Sequence, residues 1–199
     1  MKGLPIFETL RCFRNIPEPY MAVTIESLFP QINRIASQDL RTKVFCCWEE
    51  AVKRGNWTID DLETMPFSLL AKIEGLSLAY HTRTVTDCSL ALAEILDRAY
   101  NKQFRIDFDV LTAGAVLHDV GKPLEYSRTP DGNYCVSPNG KILRHPISGC
   151  ALAAEFGLPD TVQHIIAVHS REGDGGYRSP EAWIIHHSDF VNFEPLRTR

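Results

Sequence analysis

The sequence predicts an all-α fold carrying one short β-hairpin. Three observations lead there. Apolar residues recur at helical spacing through most of the 199-residue chain, helix-start signals precede several of those runs, and over 124–144 the helical period fails. In that stretch Asp131-Gly132 and Asn139-Gly140 flank Tyr134-Cys135-Val136, the pattern of a hairpin with tight turns. A 44% hydrophobic share and this length suit one well-buried domain with a helical extension.

Residues 1–20 read as an irregular, proline-bearing arm. Residues 24–37 have helical character interrupted at Pro30, and 38–53 form a clearer amphipathic helix that ends near Gly55. Thr58 starts a further helix with Asp61 at the capping-box position. We expect 1–60 to be an N-terminal helical extension packed on the core and 61–199 to be the main domain. Over 76–100 the apolar stripe runs through Leu78, Val85, Cys88, Leu92 and Ile95, and His81 points inward with it. Residues 113–122 are apolar on every side apart from His118, Asp119 and Lys122, so this helix is buried. His145 stands before Pro146 at the entrance of a helix that runs through Ala151 to Phe156. After Pro159, Val162, Ile165 and Ile166 mark a buried face that His169 continues, while His164 falls off it. Ser179-Pro180 supplies an N-cap and an N1 proline for the last helix, whose inner face holds Ala182, Ile185, His186 and Asp189.

A buried carboxylate beside a histidine is costly unless something offsets it. His81, His118, Asp119, His145, His169 and Asp189 are six metal-competent groups, five of them at inward or buried-helix positions. Each alone reads more simply as a satisfied core histidine or a surface carboxylate. Together, without a shared ion, they would multiply desolvation costs. A metal ion is the economical solution, and mixed imidazole and carboxylate ligands suit Zn, Fe or Mn.

The order His, His-Asp, His, His, Asp, with Gly121-Lys122 after the pair, resembles the HD-domain superfamily of metal-dependent phosphohydrolases. The resemblance runs from about Glu74 to Asn192. Within the superfamily, the run from Gly140-Lys141 through His145 and His169 to the helix EAWIIHHSDF is similar to the HD domains of 3′–5′ exoribonucleases of the YhaM type. The resemblance implies an HD-domain helical core and two divalent ions drawn from Fe, Mn, Zn, Co or Ni. His81, His118, Asp119 and Asp189 would hold the first ion, and Asp119, His145 and His169 the second. It also implies that Asp119 and Lys122 serve catalysis, with Lys122 meeting a substrate phosphate. By position, Arg144 and Arg171 are candidates to bind that phosphate or else surface arginines. His186, one turn before Asp189, is a candidate catalytic residue as a supporting donor or a proton shuttle. Glu74 is a candidate outer ligand. The glycine-rich run 171–178 suits a substrate gate and is similar to the loop of HD-type cyclic-dinucleotide phosphodiesterases, except that Arg178 replaces their proline.

These features point to hydrolysis of a phosphate mono- or diester, in a nucleotide or related small phosphorylated molecule, by a metal-activated water. The same ligand order also resembles HD-type mixed-valence diiron oxygenases acting on a polyol or phosphonate. A catalytically silent, metal-stabilised module is the third reading. The net charge of −4 with dispersed signs gives no broad cationic surface for duplex nucleic acid, although Lys122, Arg128, Lys141, Arg144, Arg171 and Arg178 crowd the motif region. The six cysteines show no CxxC spacing, and Cys46, Cys47 and Cys88 read as buried apolar residues. A cytoplasmic protein with no membrane span, able to form a homo-oligomer, is the resulting expectation.

Overall fold

The computed structural model describes residues 23–70 and 75–197; the expected arm at 1–20 and Glu74 lie outside them. In chain order the elements are α1 (Ile25–Leu28), α2 (Gln38–Arg54), α3 (Leu78–Tyr100), α4 (Phe108–Leu117), α5 (Lys122–Glu125), β1 (Tyr126–Arg128), β2 (Tyr134–Val136), α6 (His145–Glu155), α7 (Asp160–Val168) and α8 (Pro180–Arg197). The fold is all-α with one antiparallel hairpin, β1 against β2, in which Ser127 faces Cys135.

Sequence chemistry sets most helix starts. Side chains of Ser37, Ser77, Asp107 and Ser179 accept backbone N–H bonds at the starts of α2, α3, α4 and α8. Thr58 and Asp61 do form the reciprocal capping bonds, but only one 3₁₀ turn, Asp60–Glu63, follows them. The expected helix fails because Met65 precedes Pro66, which pushes it out of the helical region, and Pro66 pairs with Ser77 instead.

α4 carries the architecture. Residues 111–117 are all buried, and the helix packs on α2, α3, α7 and α8. Ala113, Val116 and Leu117 face one apolar cluster, which α1, α2, α6 and α7 share. Leu111 and Ala115 face a second, shared with α3, α7 and α8. Residues 23–60 therefore build the first cluster directly, and Trp48 Nε1 donates to the Val116 carbonyl at 3.1 Å. Gly114 allows the α4–α7 contact, since a Cβ there would lie 2.6 Å from Ile165 Cδ1.

On α3 the buried stripe differs from the expected one. Leu78, His81, Thr82, Val85, Thr86, Ser89, Leu90 and Ala93 are buried, whereas Cys88 is exposed and Ile95 is 54% exposed. A path from Val85 through Cys88 and Leu92 to Ile95 rotates off the contact with α4 and α8. Small hydroxyl residues fill that contact, and Thr86 returns its hydroxyl to the Thr82 carbonyl at 2.7 Å. Cys47 does lie in the core, where burial pushes its thiol up to about 12.

Gly121 has a role that its motif position does not disclose. Its φ is ordinary, and a Cβ there would lie 2.2 Å from the His145 carbonyl and 2.8 Å from Gly149 N. The close approach it permits is to the start of α6. Gly121→Ala should therefore destabilise the fold by about 1–3 kcal/mol, the usual cost of overpacking, measurable as a lower midpoint in urea unfolding.

Candidate metal centre

Five helices deliver the expected ligands to one place. His81 lies in the first turn of α3, His118 caps the C-terminus of α4, and Asp119 follows in the turn. His145 opens α6, His169 caps α7, and Asp189 lies midway along α8. Asp119 is the hub. Its Oδ2 lies 3.3 Å from His118 Nε2 and 3.6 Å from His81 Nε2; its Oδ1 lies 3.4 Å from His145 Nε2 and 3.7 Å from His169 Nε2. Asp189 joins through His81, whose Nε2 is 3.0 Å from Asp189 Oδ1. His81, His118 and Asp119 form one buried group competent to hold a metal, and Asp119, His145 and His169 form a second. Within each, the ligand atoms lie within 4.8 Å of one another.

The far side of each ring fixes what the near side can do. His118 Nδ1 donates to the Ala115 carbonyl at 2.6 Å, and His169 Nδ1 to the Ile166 carbonyl at 2.8 Å. Each bond spans three residues at a helix C-terminus, where carbonyls would otherwise lack partners. His145 Nδ1 donates to Glu125 Oε2 at 2.6 Å, and Glu125 also accepts the His145 N–H. The Nε2 lone pairs therefore point at a carboxylate that is itself only an acceptor. Nε2 of His118 and of His169 is buried without a hydrogen-bond partner. A cation between these atoms and Asp119, either proton or metal ion, resolves the clash. These residues fit a divalent metal.

The titration directions divide the ligands. Burial opposes ionisation of Asp119, but Lys122 and His118 outweigh it and hold the carboxyl well below its usual range. Burial also opposes a charged His118, yet Asp119 raises its pKa. Burial lowers His81 and His145, keeping them neutral as metal ligation requires. Lys122 is buried and stays charged, because Asp119 outweighs the burial that opposes it. Its Nζ donates to Asp119 Oδ2 at 2.5 Å and to the Phe67 carbonyl.

A cavity of about 410 Å³ opens over the centre and takes in His81, Asp119, His145 and Asp189. Lys122, Arg144, Arg171 and Arg197 supply its cationic lining. Arg144 bonds Glu172 at 2.9 Å, which ties the entrance of α6 to the glycine-rich segment. The other basic residues expected near the motif do not line the cavity. Arg128 pairs with Asp61 and covers the Trp57 ring, and Lys141 is exposed elsewhere. Arg178 is buried, donating to the Val168 and Ser170 carbonyls at 2.8 and 3.0 Å, with its guanidinium over Trp183. His186 is also off the cavity lining; its Nδ1 donates to the His169 carbonyl at 2.6 Å. Three successive carbonyls around His169 are thus held.

Sequence reasoning missed Glu125, Phe67 and Arg197. Glu125 lies in a four-residue helix without a periodic pattern, and its partner is twenty positions away. Phe67 acts through its carbonyl and through a ring stacked 4.5 Å from that of His81, neither of which leaves a sequence signal.

The HD domain family matches residues 78–191, which contain all six ligand candidates. The chain belongs to the HD-domain superfamily of metal-dependent phosphohydrolases. This HD-domain protein is 30% identical over 173 residues to the dihydroneopterin 2′,3′-cyclic phosphate phosphodiesterase of Methanocaldococcus jannaschii, covering 83% of this chain and 67% of that protein. It is 34% identical over 128 residues to the 3′–5′ exoribonuclease YhaM of Halalkalibacterium halodurans, covering 58% of this chain and 37% of that one. The YhaM of Bacillus subtilis is 31% identical over 124 residues, with 56% and 37% covered. None of these relatives is named as an oxygenase. No solved structure is significantly similar to the chain. The protein is a metal-dependent phosphohydrolase that binds divalent metal, and no helix among the described residues is long and apolar enough to cross a membrane.

Glu125→Gln keeps the shape of the side chain but removes the charge that orients His145. Divalent-metal affinity should fall about 10–100-fold, read by chelator competition, with the far-UV circular dichroism unchanged.

Proposed function

We propose that this HD-domain protein hydrolyses a phosphodiester in a small nucleotide-like molecule, a 2′,3′-cyclic phosphate being the first substrate to test, at a centre holding two divalent ions. The observation that carries the reading is the four imidazole Nε2 atoms 3.3–3.7 Å from the two oxygens of one buried carboxylate, a pair of imidazoles to each oxygen. His81, His118, Asp119 and Asp189 would hold one ion, and Asp119, His145 and His169 the other, with Asp119 shared. Ions so held supply Lewis acidity at phosphoryl oxygens and make water a nucleophile at neutral pH. The relatives named for cyclic phosphate hydrolysis and for exoribonuclease activity support a phosphodiester substrate.

The chain's own groups divide the remaining work. Lys122, buried and charged beside Asp119, meets the phosphate closest to the centre. Arg144 and Arg171 bind its outer oxygens; Arg144 is half-exposed and can leave Glu172 to do so. His186 acts as a positioning residue: by holding the His169 carbonyl it fixes the direction of the His169 ring. Residues 61–199 form the catalytic domain in this reading, supported by the extension that precedes them.

Metal analysis of purified protein tests the centre. Wild type should carry about two ions per chain, Asp119→Ala about none and His145→Ala about one; full metal content in Asp119→Ala would exclude the shared ligand. Against a nucleoside 2′,3′-cyclic phosphate, Lys122→Ala should raise KM about tenfold or more with metal content retained. An unchanged KM would remove Lys122 from the substrate.

A further inference from the structure

The cavity is larger than a phosphate alone requires, and its outer part is built differently from its floor. From Asp189 outward, α8 lines it with Phe190, Phe193 and Arg197. At the helical rise of 1.5 Å per residue, positions 189 and 197 are separated by about 12 Å of backbone along the axis. The two rings are half-buried and held by neighbouring rings: Phe193 meets Phe67 edge-on at 6.2 Å and 82°, and Phe190 leans on His186 at 4.5 Å. Phe67 is itself buried, stacked on His81, and tied to Lys122 through its carbonyl. The aromatic wall and the metal ligands are thus one packed unit, so a molecule seated on the wall has a defined distance to the centre.

We infer that Phe190 and Phe193, with Arg197 beyond them, form the seat for a flat heterocyclic base, and that the substrate is a nucleoside-type phosphodiester whose base lies on α8 while its phosphate reaches Asp119 and Lys122. This inference rests on the phosphodiesterase reading and specifies its substrate. The chemistry follows from the lining. A heterocycle stacks on ring faces that an alkyl group would only touch, and its polar edge can meet a guanidinium. A cavity of about 410 Å³ has room for a base as well as a phosphate. An unadorned sugar phosphate would leave the rings without a partner.

The test compares two esters with the same reacting bond, adenosine 2′,3′-cyclic phosphate and the base-free ribose 2′,3′-cyclic phosphate. Metal-loaded full-length wild type, Phe193→Leu and Phe193→Tyr are assayed on both. Wild type should favour the adenosine ester by tenfold or more in kcat/KM, the usual scale of one base stacked on one ring. Phe193→Leu should erase most of that preference and Phe193→Tyr should keep it. Equal kcat/KM for the two esters in wild type, or a preference untouched in Phe193→Leu, overturns the seat. If wild type cleaves neither ester, the cyclic-phosphodiesterase reading fails separately, and calorimetry judges the seat. Adenosine 3′-monophosphate binding at least tenfold tighter than ribose 3-phosphate, and losing that margin in Phe193→Leu, sustains it; equal affinities overturn it.

Discussion

A carboxylate with 2% of its surface exposed, at the end of the most apolar helix in the chain, is the constraint around which this structure is arranged. Left alone, Asp119 would take up a proton or unfold its surroundings. It stays ionised because Lys122 and four imidazoles converge on it, and each comes from an element that must end, begin or pass at that point. α4 and α7 end there, α5 and α6 begin there, and α3 and α8 pass across it. The fold's main packing contacts, α4 with α3, α7 and α8 and α6 with α7, are the contacts that bring these ends together. Core packing and site assembly are therefore the same event.

The rings acquire direction from what lies behind them. Two histidines take up helix-terminal carbonyls, which satisfies the helix ends and leaves Nε2 free for a metal. A third leans on Glu125, whose charge raises the ring's basicity as a ligand. His186 and Arg178 extend this support to the backbone around His169.

The ligand positions and the helices that bear them were legible because both follow from period and capping chemistry: a histidine three after Leu78, or seven after Val162, has its direction set by the helix. The hairpin was legible from Asp131-Gly132 in its turn, whereas Asn139-Gly140 lies beyond β2. What eluded sequence reading depends on contacts between segments. The direction of α3's second half was decided by which helices cover it, so Cys88 and Ile95 face out. The Thr58 turn stopped because of Pro66, five residues beyond Asp61 of the capping pair. Arg178 reads as one more surface cation, yet it is buried by three hydrogen bonds to the backbone and to Asp174 that only the folded loop creates. Glu125 and Phe67 act across twenty and fifty-five residues on His145 and Lys122.

The bond between Glu125 and His145 has one more consequence. It pins together the two ends of the excursion that holds the hairpin, so everything between them is a closed loop hung from a fixed clasp. Lengthening such a loop adds closure entropy only logarithmically, roughly 0.6 kcal/mol for each doubling. Change within the exposed hairpin tip, 129–133, is therefore the cheapest, since Ser137 and Gly140 pack on the Glu125 backbone itself. The clasp sits at the rim of the centre, at the point where the hairpin excursion leaves and rejoins the helices.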